Sequence, residues 1–134
     1  MSKLRVAVLG CGGRGRGHIG ILKGFEDVEL VAVCDPVAGA RDAAGDAFGV
    51  ARRYASAEEL LDAEDRRAHG SPLHAVFVAP PAHLNAQAAL PCLERGVNTL
   101  LEKPPGMSVS ETIALRDAAD RTGALAMVGW NRRF

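Results

Sequence analysis

The chain carries no excess charge of either sign, no long apolar run and little cysteine. Lys+Arg and Asp+Glu stand at 16 each, so nothing in the composition recruits nucleic acid or an acidic membrane surface. No apolar stretch approaches the ~20 residues a membrane-spanning helix needs, and no signal-peptide h-region precedes the first strand pattern. Cys11, Cys34 and Cys92 lie far apart without a Cys-x-x-Cys pair. That argues against a disulfide framework or a zinc site and fits a reduced, cytoplasmic chain. His18, His69, His74 and His83 show no ligand spacing, so no metal site is expected. Internal repeats and low-complexity linkers are also missing. Lysine is scarce: only Lys3, Lys23 and Lys103 among the 16 basic residues. What remains is an ordinary globular composition, 48% hydrophobic and 24% charged, at the 134-residue length of one domain.

Against that plain background one stretch stands out. Arg5-Val6-Ala7-Val8-Leu9 is a short apolar strand that runs into Gly10-Cys11-Gly12-Gly13-Arg14-Gly15, and Asp35 closes a second apolar run 20 residues after Gly15. This is the order of parts that holds a dinucleotide. Gly10 permits a tight turn, Gly12 lets the backbone approach a pyrophosphate, and Gly15 lets the following helix pack close to the strand. The helix N-terminus, at Gly13 and Arg14, offers free N–H groups and a positive dipole end. Asp35 is placed to accept hydrogen bonds from both ribose hydroxyls of an adenosine; capping the next helix ahead of Pro36 is the plainer role. Arg14 and Arg16 can reach a pyrophosphate or simply be solvated. Cys11 is read as a small packing residue, and Met107 and Met127 as core or gap filler.

The rest alternates strand and helix. Strands are expected at 4–9, 28–34, 52–54, 75–78, 97–101 and 124–128. Helices are expected over about 14–25, from beyond Pro36 to Phe48, after Ser56, from beyond Pro80-Pro81 to about Arg95, and after Ser108. Ser56-x-x-Glu59 and Ser108-x-x-Glu111 are capping boxes, and Gly96 and Gly123 are stop signals. Pro91 should kink the helix that contains it. The polar segment from Glu64 to Ser71 should loop outward. Mostly uninterrupted apolar strands require a sheet covered on both faces, and right-handed crossovers give an α/β, Rossmann-type doubly wound parallel sheet of order 3-2-1-4-5-6. The last residues, Gly129-Trp130-Asn131-Arg132-Arg133-Phe134, place Trp and Phe directly after a strand expected to be buried. The expectation is a cofactor domain over 1–128, with 129–134 opening the connection to an α+β substrate domain absent from this chain.

Leu100-Leu101-Glu102-Lys103-Pro104 puts a carboxylate, an amine and a proline at the carboxyl end of the fifth strand, the edge where open α/β sheets bind ligands. Together with the glycine loop, Asp35 and the terminal Gly-Trp-Asn-Arg-Arg-Phe, it resembles the Gfo/Idh/MocA family, glucose–fructose oxidoreductase, inositol dehydrogenase and relatives. The resemblance covers essentially the whole chain. It implies a nicotinamide dinucleotide as cofactor and a sugar, cyclitol or similar polyol as substrate; Asp35, which would repel a 2′-phosphate with no arginine nearer downstream than Arg41, favours NAD over NADP. It also implies a homo-oligomeric parent protein. Carried over, Lys103 is the catalytic residue, acting on the substrate oxygen during hydride transfer. The cofactor-binding set is Gly10, Gly12, Gly13, Arg14, Gly15, Asp35, Pro80, Glu102 and Lys103. The chain departs from the family's pattern in two ways: its Thr-Pro and following His align with Pro80-Pro81 and Asn85, and Pro91 stands where a helix former is usual. A dinucleotide-sensing module without chemistry and an S-adenosylmethionine-dependent methyltransferase are the alternatives.

Overall fold

A computed structural model describes residues 2–65 and 69–133; Arg66, Arg67 and Ala68 of the polar segment, and the terminal Phe134, lie outside the described residues. In chain order the elements are β1 (Leu4–Leu9), α1 (Gly13–Leu22), β2 (Val28–Cys34), α2 (Ala38–Phe48), β3 (Arg52–Tyr54) and α3 (Ala57–Ala63). Then follow β4 (Ala75–Val78), a 3₁₀ turn (Ala82–Leu84), α4 (Asn85–Glu94), β5 (Asn98–Glu102), α5 (Val109–Thr122), β6 (Ala126–Gly129) and a second 3₁₀ turn (Asn131–Arg133). The six strands form one sheet in the order β3-β2-β1-β4-β5-β6, and every pairing is parallel. This is the doubly wound Rossmann topology that the strand–helix alternation requires.

Side-chain alternation along β1 divides the core in two. Val6 and Val8 pack on one face with Ile19 and Leu22 of α1 and Ala44 of α2. Ala7 and Leu9 pack on the other with Leu60 of α3, Leu93 of α4 and Leu115 of α5. A central strand buried on both faces has no place for polar side chains along its middle, hence its unbroken apolar run. Helix starts obey local chemistry. Ser56 Oγ accepts from Glu59 N at 3.1 Å, and Ser108 Oγ accepts from Glu111 N at 3.2 Å. Each fills one of the donors that a helix N-terminus leaves open.

Four expectations need correction. Helix α1 stops at Leu22, short of Phe25, because the chain tightens there into two turns closed by Gly24 N donating to Ile21 O and Phe25 N to Leu22 O. Glu64 does not loop outward: it is fully buried. It pairs with the buried Arg5 guanidinium, accepts from Tyr54 Oη at 2.8 Å and meets Arg52 Nε at 2.8 Å. A buried Arg5 in β1 needs a counter-charge, and Glu64 supplies it. Met107 and Met127 are each 62% exposed rather than core filler. The sheet is also not fully covered, since Ala126 and Met127 of β6 are both exposed. The polypeptide of α4 runs on through Pro91, whose carbonyl accepts from Arg95 N.

Glu64→Leu is expected to lower the unfolding free energy by about 3–5 kcal/mol, because Arg5 stays buried with its charge unpaired. Urea denaturation measures this, and a loss below about 1 kcal/mol contradicts the pairing.

Candidate cofactor site

The sheet order reverses at β1: β2 lies on one side and β4 on the other. Loops leaving the carboxyl ends of these strands diverge there, opening a crevice. The crevice is a cleft of about 770 Å³. The loop after β1 and the start of α1 contribute Gly10, Gly12, Gly13 and Arg14; the segment after β2 contributes Asp35, Pro36 and Val37, and the segment after β4 contributes Ala79, Pro80 and Pro81. Ser56, Ala57 and Glu58 close the far end.

The glycine loop takes its shape from two contacts. Gly10 has φ +97°, and a Cβ there would come within 2.4 Å of Ala79 O. At Gly15 a Cβ would stand 1.6 Å from Gly10 O, so α1 starts pressed against the loop backbone. Gly12 and Gly13 differ: a Cβ on either would meet nothing within 4 Å. Their bareness serves no protein contact and leaves room for something else to approach the backbone. Helix α1 begins here with no side-chain cap and no acidic residue in its first turn, whereas α3 and α5 have both. Its open N–H groups and positive dipole end are therefore left to an anion in the cleft. Residues and shape fit a dinucleotide pyrophosphate.

Asp35 is clasped by backbone. Its Oδ2 accepts from Cys11 N at 2.8 Å and its Oδ1 from Val37 N at 2.8 Å. It is not a helix cap, since α2 has Val37 at that position with no side-chain bond. Each carboxylate oxygen has about two acceptor sites, so each keeps one for a ligand hydroxyl. The Arg41 guanidinium donates to Asp35 O at 2.9 Å, which ties it to the main chain. Cys11 is buried, and its thiol is pushed up to about 11, first by burial and then by the Asp35 charge. It stays protonated at neutral pH and is a packing group, not a nucleophile.

At the other side of the loop, Glu102 closes β5. Its Oε1 accepts from Arg14 Nε at 2.9 Å and from His18 Nε2 at 2.8 Å. Burial alone would push this carboxyl up, but the hydrogen bonds and charges of His18 and Arg14 outweigh it and hold the group below its ordinary value. The His18 ring lies tilted on Phe77 with centroids 5.4 Å apart. His18 had no assigned role from sequence. The signal for it was the Arg14–His18 spacing, which puts both on one face of α1. Arg16 instead holds its guanidinium 5.7 Å above the Phe48 ring. Lys103 follows Glu102, is exposed, does not line the cleft, and joins Pro104 through a cis peptide bond. Thus Gly10, Gly12, Gly13, Arg14, Asp35 and Pro80 come together in the cleft with Gly15 packed behind the loop, and Glu102 joins them through Arg14. Asn85 was noticed in the sequence only as a departure. It is fully buried, and its amide donates to Glu102 O and Pro104 O.

A family model for the Gfo/Idh/MocA proteins, described as an oxidoreductase family with an NAD-binding Rossmann fold, matches residues 4–130. The chain belongs to this family. It is 29% identical over its whole length to the D-apiose dehydrogenase of Paraburkholderia graminis, of which it spans 34%. It is 26% identical over 98% of its length to the scyllo-inositol 2-dehydrogenase (NAD(+)) of Bacillus subtilis, of which it spans 37%. Among solved structures, the WlbA dehydrogenase from Bordetella pertussis, in complex with NADH and UDP-GlcNAcA, superposes with a TM-score of 0.81 at 28% identity. That match covers 96% of this chain and 38% of the other. The chain thus spans little more than a third of the relatives it matches, and what it shares with them is the NAD-binding Rossmann domain. Among the described residues no helix is long and apolar enough to cross a membrane, and no cluster of His, Cys, Asp and Glu suits a metal ion.

Two substitutions separate the roles of the glycines. Gly12→Val should leave the melting temperature nearly unchanged while abolishing NAD binding, because its side chain enters only the open cleft. Gly15→Ala should cost about 1–3 kcal/mol or more of stability through backbone overlap. Calorimetric titration and thermal denaturation of both variants read this; a folded Gly12→Val chain with unchanged NAD affinity contradicts the site.

Glu102 also predicts an acid limb. Its folded pKa lies below its ordinary value of 4.5, so between those values the unfolded chain binds more protons. The stability that Glu102 contributes is present above about 4.5 and drains away as pH falls through the folded value. In Glu102→Gln the urea midpoint should fall less steeply over that window than in the parent chain; identical slopes contradict the assignment.

Proposed function

We propose that this chain is the cofactor half of an NAD-dependent oxidoreductase acting on a sugar, cyclitol or related polyhydroxylated substrate. The carrying observation is the cleft itself, where the bare Gly12–Gly13 backbone and the uncapped start of α1 face an anchored Asp35. When bound, the nicotinamide supplies the hydride acceptor or donor. The chain's own residues do the rest. Backbone N–H groups of Gly12, Gly13 and Arg14 hold the pyrophosphate, with Gly10 and Gly15 shaping the loop behind them. The free acceptor sites of Asp35 take the hydroxyls of the adenosine ribose. Pro80 borders the cleft where the strand order reverses. Glu102, hydrogen-bonded by Arg14 and His18, anchors the loop that carries Lys103. Lys103 holds or delivers the proton at the substrate oxygen.

Relatives named for dehydrogenation of apiose and inositol support the substrate class, and the exposure of Lys103 leaves its amine accessible to a substrate. In this reading residues 1–128 are the cofactor domain and 129–134 begin the connection to a substrate domain, corresponding to the length of the relatives that this chain does not match. The complete protein would be a soluble homo-oligomer of the cytoplasm.

The preference for NAD follows from Asp35. Two backbone bonds hold its charge in place, so a 2′-phosphate would meet a carboxylate that cannot turn away. Calorimetry should give NAD at least about tenfold tighter binding than NADP, the order expected of a like-charge clash. Asp35→Asn should narrow the gap. Equal or tighter binding of NADP overturns the assignment.

The isolated chain should bind NAD yet produce no NADH from any sugar or polyol, because Lys103 alone does not orient a substrate hydroxyl against the nicotinamide. Absorbance at the NADH band across a polyol panel tests this. Robust turnover would mean that the catalytic set lies within these residues.

A further inference from the structure

Asn85 uses its side chain in an unusual way. It is the first residue of α4, one past Leu84 at the N-cap position, where an asparagine's Oδ1 would ordinarily take up an N–H of the helix. Here no side-chain bond caps α4, and Oδ1, although buried, has no hydrogen-bond partner among the described residues. Both amide hydrogens are spent instead on the loop after β5. Nδ2 donates to Glu102 O at 3.0 Å and to Pro104 O at 2.8 Å. These two carbonyls flank one residue, Lys103. A buried acceptor left unpaired costs stability and calls for a reason. The reason lies in the donors: an amide nitrogen presents two hydrogens from one atom, so a single buried side chain can grip the backbone on both sides of Lys103.

The grip acts on a residue that has no other restraint of this kind. Lys103 is exposed and its amine makes no hydrogen bond or ion pair among the described residues, so only the backbone beneath it can define where the amine starts. Glu102 is fixed from its side chain by Arg14 and His18 and from its carbonyl by Asn85. Pro104 is fixed from its carbonyl by the same Asn85 amide. We propose that Asn85 is the positioning residue for Lys103: its amide clamps the carbonyls of Glu102 and Pro104 and so holds the lysine in register with the cofactor. The inference rests on the proposed reading of Lys103 as the residue that acts on the substrate oxygen next to the bound nicotinamide.

The scarcity of lysine makes the test clean. Lys3, Lys23 and Lys103 are the whole set, and all three are exposed. The chain is acylated with limiting acetic anhydride, with and without saturating NAD, and the rate at each lysine is read by mass spectrometry. NAD affinity is measured in parallel by calorimetry. In the parent chain NAD should slow acylation of Lys103 by about threefold or more relative to Lys3 and Lys23, since bound ligand shifts its surroundings. Asn85→Ala should lose that protection while NAD affinity changes by less than about threefold. Asn85→His, which restores one ring N–H, should recover part of it. Full protection in a folded Asn85→Ala chain overturns the proposal, and so does loss of NAD affinity in step with protection, which marks a merely structural residue. If Asn85→Ala does not fold, the His variant decides alone: partial protection supports the clamp, and protection equal to the parent's or absent overturns it. Absence of protection in the parent chain overturns the reading of Lys103 itself, and the clamp with it.

Discussion

The carbonyl oxygen of Gly10 occupies the space that any side chain on Gly15 would need, and the rest of the site depends on that contact. It forces α1 to begin against the end of β1, so the helix axis points its positive end into the cleft instead of past it. It leaves Gly12 and Gly13 lining the opening with nothing above them. It also sets the rotation of α1, which carries Arg14 and His18 onto the same oxygen of Glu102. A β-carbon at residue 15 would push the helix away and change all three together. Close approach of two backbones is here the source of both shape and electrostatics.

Two carboxylates flank the glycine loop, and their surroundings give them opposite characters. Asp35 accepts from two neutral backbone amides and keeps its charge facing the cleft, where hydroxyl donors suit it and a phosphate does not. Glu102 accepts from a guanidinium and an imidazole, is largely hidden from water, and has its charge compensated within the protein. One is set out for a ligand and the other for holding a loop. The buried Arg5–Glu64 pair is a third use of charge, joining the start of β1 to the end of α3. In each case the partner decides the role, since the carboxylate chemistry is the same.

Much of this was legible in the sequence because local chemistry and the global fold agree. The apolar run of β1, the capping serines of α3 and α5, and the crossover rules lead to the observed strand order without further information. The cleft residues Gly10, Gly12, Gly13, Arg14, Asp35 and Pro80 were legible too, because backbone shape is encoded by glycine, and sheet edges by position. Side-chain partnerships were not. Glu64 lies in a polar run that looks solvated, and only the geometry of β1 reveals that a buried arginine awaits it. His18 and Glu102 are 84 residues apart, and Asn85 acts across β5 rather than along its own helix. Met127 is apolar yet exposed because β6 is an edge strand, a fact about sheet position and not about residue type. Long-range polar contacts leave no periodicity behind.

The central claim is that the open backbone of the glycine loop and the clasped Asp35 hold the two ends of an ADP moiety. A crystal structure of the chain with NAD tests it most directly. The account predicts pyrophosphate oxygens about 3 Å from the backbone nitrogens between Gly12 and Arg14, as hydrogen-bond geometry requires, and the adenosine ribose hydroxyls on the Asp35 carboxylate. A dinucleotide seated elsewhere, or seated in the cleft with its ribose turned away from Asp35, would contradict it.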